Sequence, residues 1–274
     1  MGRLFYISIF LFFQLLSFGN VIKINNMENK FDVIEKTTNE FRFTNNISEI
    51  NTELLSYEEG DFIKLLVNGY STNSEYGRPE LPELKKLFRI PYGSDIEIII
   101  LDKEEQVISL NEFGIVLPII PNQPSISKGD DSRKVSFFYD KKSYKFNKFN
   151  NNKIINVKIL GKIRGQTMGR LDISPFSYNP ITNKLKIISK LEVKIVFKNT
   201  DSKSDMLNRR LYFDHNYEHL YKQFINYLPI PEKDIITNYP VKYVIISDSI
   251  FQPALQPFIE WKIKKGFIVL EEYT

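Results

Sequence analysis

The sequence predicts a mainly β fold, an antiparallel β-sandwich of jelly-roll type, followed at its carboxyl end by a single β-α-β unit. Three observations predict it. Apolar and polar residues alternate with period two from about Phe31 to Phe197. Turn residues such as Pro91-Tyr92-Gly93, Pro121-Asn122 and Asn150-Asn151-Asn152 separate these runs without intervening helical patterns. From about Val241 the style changes to almost continuously apolar runs on either side of a helix, the mark of strands covered on both faces.

The chain has 274 residues, 42% hydrophobic and 14% aromatic, enough to build real cores. Its net charge of +4 is spread over many segments and is a weak pull toward a polyanion. It contains no cysteine, which excludes a disulfide, a thiolate zinc site and a cysteine nucleophile within these residues.

Residues 1–19 read as a signal peptide. Arg3 gives a short positive start, Leu4 to Phe18 is apolar apart from Gln14 and two serines, and Ser17-Phe18-Gly19 places small residues near a cleavage point. An apolar run of 15 residues is short of the roughly 20 that span a bilayer, so export with cleavage is expected. A secreted or cell-surface protein with no stable membrane span follows.

Residues 20–198 form the β-domain. "DIEIIIL" (Asp95 to Leu101), "KVSFFYD" (Lys134 to Asp140) and "IINVKIL" (Ile154 to Leu160) read as strands. The clearest strand is "LKIISKLEVKIVF". Leu185, Ile187, Ser189, Leu191, Val193, Ile195 and Phe197 fall on one face, and Lys186, Lys190, Glu192 and Lys194 on the other, with Ile188 and Val196 as exceptions.

Residues 199–240 read as a linker. "NTDSKSD" breaks the alternation, Tyr217, Leu220, Tyr221, Phe224 and Leu228 make a helical stripe, and Pro229, Pro231 and Pro240 end it. In residues 241–274, "VKYVIIS" is a strand, Ser247, Asp248 or Ser249 caps a helix with Pro253 and Pro257 near its start, Gly266 stops it, and "FIVL" begins a second strand.

Three stretches resemble the amino-terminal part of gingipain-family cysteine endopeptidase precursors. "GRPELPELKKLFRIP" carries a G-x-P-x-L-P motif on Gly77, Pro79, Leu81 and Pro82. "SPFSYNPITNKLKI" carries a P-F-x-Y-N-P turn on Pro175, Phe176, Tyr178, Asn179 and Pro180. "YVIISDSIFQPALQPFIEWKIKKGFIVLEEYT" resembles the start of the family's catalytic domain. The resemblance implies a β-sandwich propeptide that aids folding and keeps the enzyme latent, leading into a caspase-like α/β domain whose histidine and cysteine lie beyond Thr274. It implies the chain's own catalytic domain as partner, protein substrates for the full-length enzyme, and calcium in a full-length protein, with no cofactor or metal assigned to these residues. A peptidase that processes proteins exported by the type IX system is a related alternative within the family, and a stand-alone secreted binding or adhesion module is the alternative outside it.

Four candidate sites follow. "HNYEH" holds the only two histidines, His215 and His219, and fits H-x-x-E-H, in which two histidines bind zinc and a glutamate activates water. On a helix, however, His215, His219, Lys222 and Asn226 share a face opposite the apolar stripe, Lys222 would set a cation beside the metal, and no third ligand is identifiable, so a solvated joint is expected. "KKSYKFNKF" (Lys141 to Phe149) mixes lysines with aromatics as nucleic-acid sites do, but reads as a lysine-guarded edge strand, and no nucleic-acid partner is expected. "GKIRGQTMGR" lacks the ending of a phosphate loop and reads as a bulged strand or turn. Finally, the family's preference for a basic residue at the cleaved bond implies a substrate-like inhibitory loop. The longest polar connection, "PNQPSISKGDDSRK", offers Lys128, Arg133 and Lys134, with Arg164 and Arg170 as alternatives.

Overall fold

A computed structural model describes residues 20–72, 75–125, 128, 136–150, 153–231, 235 and 241–274. The signal-peptide expectation therefore lies outside the described residues. Elements run in the order β1 (Val21–Lys23), β2 (Lys30–Lys36), β3 (Glu40–Asn46), β4 (Glu49–Tyr57), β5 (Gly60–Leu66), β6 (Ser71–Thr72), β7 (Pro82–Ile90) and β8 (Asp95–Ser109). There follow β9 (Ile155–Ile163), β10 (Gln166–Ile173), β11 (Phe176–Asn179), β12 (Lys184–Lys198), α1 (Ser202–Tyr212), α2 (Glu218–Tyr221), β13 (Lys242–Ser247), α3 (Gln252–Lys264) and β14 (Ile268–Tyr273).

The fold is mostly β and its sheets up to β12 are antiparallel. Strands β11-β12-β3-β2 form the largest sheet, with β8 also paired to β12; β6-β7-β10-β9 and β1-β4-β5 form two smaller ones. Each small sheet buries a core against one end of the large sheet. Phe88, Leu171 and Ile173 of the four-stranded sheet pack with Phe41, Phe43, Leu191, Val193 and Ile195. Ile50 and Leu65 of the three-stranded sheet pack with Phe176, Leu185 and Ile187.

The 15-residue β12 is the strip that both cores share, and its odd positions from Leu185 to Phe197 are all buried as the alternation predicts. Pairing with β8 slips between Ile188 and Lys190, which makes Ser189 the extra residue and explains why Ile188 is buried as well. The β9–β10 hairpin has the expected irregularity, a register shift between Met168 and Gly169.

Residues 136–140 of "KVSFFYD" and the whole of "KKSYKFNKF" are not strands; the latter is a run of turns around a single 3-10 turn, Ser143–Lys145. Phe137, Tyr139 and Tyr144 serve as anchors rather than as a sheet face.

The helical stripe at Tyr217–Leu228 shortens to a 3-10 turn and the single-turn α2, and the longer helix is α1, which starts in the polar stretch that breaks the alternation. Asp201 caps α1 by accepting from Ser204 N at 3.0 Å. This segment is held against the end of β7. Arg89 Nη1 meets Asp205 Oδ1 at 2.6 Å with both side chains 6% exposed, and Tyr92 N donates to the same oxygen at 2.8 Å. Asn226, expected on a wet face, is buried, and its amide takes both the N–H and the C=O of Arg89 at 2.8 Å. Arg209 Nη2 donates to Leu228 O at 2.6 Å.

In the final unit, β13 and β14 pair in parallel and α3 crosses between them. Pro257 lies inside α3 rather than in its first turn, and Gly266, at φ +89°, ends it. Among the described residues β13 is not covered on both faces: Ile245 is buried, while Val244 and Ile246 are 57% and 72% exposed.

Candidate functional site

The sequence placed the G-x-P-x-L-P motif and the long polar loop as separate features; the fold joins them. Gly77 N donates to Asn122 O at 2.8 Å, and Gly77 O accepts from Asp140 N at 2.9 Å. One residue is thus tied to both roots of the loop. It adopts φ +79°, and a Cβ there would stand 3.0 Å from Asp140 N, so only glycine fits the turn and the close approach together.

The near root is fixed further by Asn122 N to Arg78 O at 2.8 Å, Glu80 N to Ile120 O at 2.7 Å, and an antiparallel bridge between Pro79 and Pro121. On its other side Ile120 N donates to Ile63 O and Ile63 N to Pro118 O, both at 2.9 Å. Leu81 and Pro82 are buried and carry the motif into β7.

Gln123 closes the loop across its base. Its Nε2 donates to Pro121 O and to Phe138 O at 2.8 Å, while its Oε1 accepts from Phe138 N at 2.9 Å. The far root is sunk in aromatic rings: Phe137 lies 5.1 Å from Tyr57 and 5.6 Å from Phe62, and Tyr139 meets Tyr144 edge-on at 4.8 Å. Tyr144 donates to Ile119 O at 2.7 Å, and burial raises the pKa of its hydroxyl, which stays a neutral donor. Between these roots Lys128 is exposed, and Arg133 and Lys134 lie outside the described residues.

The second motif lies beside the first. Phe176 and Tyr178 are buried, Tyr178 N donates to Asn150 Oδ1 at 2.6 Å, and its hydroxyl donates to Asn183 Oδ1 at 2.9 Å. Burial pushes this hydroxyl up to about 12. Asn179 Oδ1 accepts from Ile181 N and Thr182 N, the bonding that lets an asparagine build its own turn, and Pro175 O accepts from Ile188 N at 2.9 Å. Both motifs line one cleft of about 570 Å³, with Arg78, Pro79, Asp140, Phe149, Tyr178 and Pro180 on its walls. Sequence reasoning did not foresee this meeting; the shared prolines and small polar turn residues were its only trace.

The alternative basic residues are engaged within the domain. Arg170 makes a two-point contact with Asp172, at 2.6 and 3.0 Å. Arg164, at φ +47° on the β9–β10 turn, pairs with Asp214 at 3.2 Å and bonds Tyr212 O at 3.3 Å. His215 and His219 are both exposed, His215 resting edge-on against Phe213 at 5.0 Å. Among the described residues no three His, Asp or Glu side chains form a metal-sized group. No described helix is long and apolar enough to cross a membrane.

Comparison with known proteins gives a consistent result. The family profile described as Propeptide_C25 matches residues 34–225. Lys-gingipain of Porphyromonas gingivalis is 32% identical over 244 residues, 87% of this chain and 14% of that protein. Gingipain R1 of the same organism is 26% identical over 197 residues, 70% of this chain and 19% of that protein. The chain therefore spans less than a fifth of the length of these relatives. A solved structure described as "Structural insight into zymogenic latency of gingipain K from Porphyromonas gingivalis" superposes with a TM-score of 0.62 and 28% identity, covering 66% of this chain and 98% of that one. A second, described as "Complex of Porphyromonas gingivalis RgpB pro- and mature domains", gives 0.57 and 18% identity, over 73% of this chain and all of that one.

Proposed function

The chain belongs to the Propeptide_C25 family, and on that premise we propose that it keeps a gingipain-type cysteine endopeptidase latent by presenting the loop rooted at Gly77, Gln123 and Phe138 to the protease cleft. The observation that carries this reading is the double tether of Gly77. A polar loop whose two ends are fixed by a glycine, a glutamine clamp and an aromatic cluster enters a cleft without first having to order its base, which lowers the entropic cost of binding. Lys128, Arg133 and Lys134 are the basic side chains it offers.

The partner is the mature catalytic domain, and the thiolate chemistry belongs to that domain, because these residues include no cysteine. Export through residues 1–19 places the pair outside the cell. A stand-alone adhesion module has no observation in its favour.

The test is inhibition of mature lysine-specific gingipain by the purified chain. The unaltered chain should inhibit, and one of Lys128→Ala, Arg133→Ala and Lys134→Ala should abolish inhibition while the others do not. Gly77→Ala should weaken inhibition by moving both loop roots. Equal potency in all four variants would remove the loop from the mechanism.

A further inference from the structure

We propose that Lys141, Lys142, Lys145, Lys148 and Lys153 are a second contact surface for the protease domain, one that captures an acidic patch beside its cleft by charge; this rests on the latency reading above. The segment 141–153 carries these five lysines with no acidic residue, a local charge of +5 in a chain whose total is +4. All five lysines are exposed. Among the described residues none of them belongs to an ion pair.

On a strand edge such lysines would be explained by protection against pairing with other chains. That explanation fails here, because residues 141–150 form no strand and guard no sheet edge. Like charges repel one another, and among the described residues no carboxylate forms an ion pair with these side chains.

Position supplies the second reason. Asp140, the residue that Gly77 binds at the far root of the loop, directly precedes Lys141, so the segment starts where the loop ends. The same stretch lines the cleft with Ser143, Phe146, Lys148, Phe149 and Asn150. Phe146 is 55% exposed, with Lys148 Nζ 5.4 Å from its ring centre, giving a charged rim around an apolar patch, as protein-binding surfaces have. Of the acids on the same cleft, Glu75 pairs with Arg78 at 2.6 Å, and Asp140, whose Oδ1 accepts from Lys142 N at 3.1 Å, is a single carboxylate beside five lysines. A protease cleft seated over the base of the loop would lie next to these lysines. The fitting partner surface is acidic.

Association of the full chain with mature lysine-specific gingipain should be followed at several salt concentrations. Compared with the unaltered chain, the Lys141→Gln, Lys142→Gln, Lys145→Gln, Lys148→Gln variant should associate about tenfold more slowly at low salt, with the difference vanishing at high salt. Its thermal unfolding should be unchanged, since all four side chains are exposed. Loop variants, by contrast, should lose inhibition at every salt concentration. An unaltered rate and salt slope in the quadruple variant would overturn the second contact while leaving the loop intact. Loss of heparin or DNA binding in that variant without slower protease association would overturn it in favour of a polyanion. Failure of the unaltered chain to inhibit at any salt would overturn the latency reading and this inference together.

Discussion

The connector from α1 to Leu228 and the β-α-β unit from β13 to β14 both follow the last strand of the large sheet, yet they are held by opposite means. The connector is docked by polar groups. Asp205 and Arg209 are buried on a helix with few apolar residues, and Asn226 clamps the backbone of Arg89 as a missing strand would. The β-α-β unit is rich in apolar and aromatic residues but buries few of them; Trp261 is 47% and Ile263 54% exposed. Hydrophobic content therefore does not rank these two regions by how firmly they are held. What separates them is that the connector's buried Asp205 and Asn226 have found partners on β7 and its following turn, and a paired buried polar group has a single acceptable geometry.

The sharpest way to break this comparison is to remove one charge of the buried pair. Asp205→Ala leaves Arg89 buried without its carboxylate and Tyr92 N without its acceptor, and should destabilise the β-domain by about 3–5 kcal/mol. Chemical denaturation followed by the far-ultraviolet signal of the strands measures this; a loss below about 1 kcal/mol would show that the connector is merely resting on β7. Asn226→Ala comes next. It orphans the N–H and the C=O of a buried residue and should cost about 2 kcal/mol on the same measurement.

These residues also mark where sequence reading succeeded and failed. The strands were legible because β12 alternates Leu185, Ile187, Leu191, Val193 and Ile195 with mostly charged residues, Lys186, Lys190, Glu192 and Lys194, and burial of one sheet face needs only that alternation. The helix α1 was not, because its buried side chains are Asp205 and Arg209, which an apolar stripe cannot reveal. Only the Asp201 cap and the i, i+4 spacing of Asp205 and Arg209 signal it. The aromatic alternation of Phe137 and Tyr139 was real but anchors a loop, since among the described residues no strand pairs with residues 136–140. For the candidate site, the motif and the loop were each visible, while their joining at Gly77 depends on hydrogen bonds between residues 45 and 63 positions apart, which no local pattern encodes.

A charge cluster on the same sheet as β7 sharpens the contrast with the buried pair. Burial works against the charge of Asp172, but Arg170, bonded at two points, and Lys158, at 3.3 Å, outweigh it and hold its pKa below the usual range. A carboxylate depressed in the folded state contributes stability above its unfolded pKa, near 4, and loses it as pH falls from there through its lower folded pKa. Both cations are partly exposed, so the contribution should be about 1 kcal/mol or less. Stability measured between pH 6 and pH 3 should fall less steeply in Asp172→Asn than in the unaltered chain. A slope indifferent to this substitution would assign the acid sensitivity to other carboxylates.

The smallest effect separates the two regions directly, because the single tryptophan of the chain lies in the β-α-β unit. Lys262 Nζ stands 4.4 Å from the ring centre of Tyr243, 5.0 Å from Trp261, 5.1 Å from Phe267 and 5.3 Å from Phe258, so one cation gathers the rings that α3 and its strands leave partly open. Lys262→Gln should lower the stability of this unit by about 0.5–1 kcal/mol, read as an earlier transition in Trp261 emission on denaturation. The far-ultraviolet transition of the β-domain should not move. Even in the unaltered chain the emission transition should come first, since a unit with exposed apolar strands has less burial to lose than the twin cores sharing β12. If both signals shifted together, the two regions would unfold as one cooperative body, and the contrast between polar docking and open apolar packing would disappear.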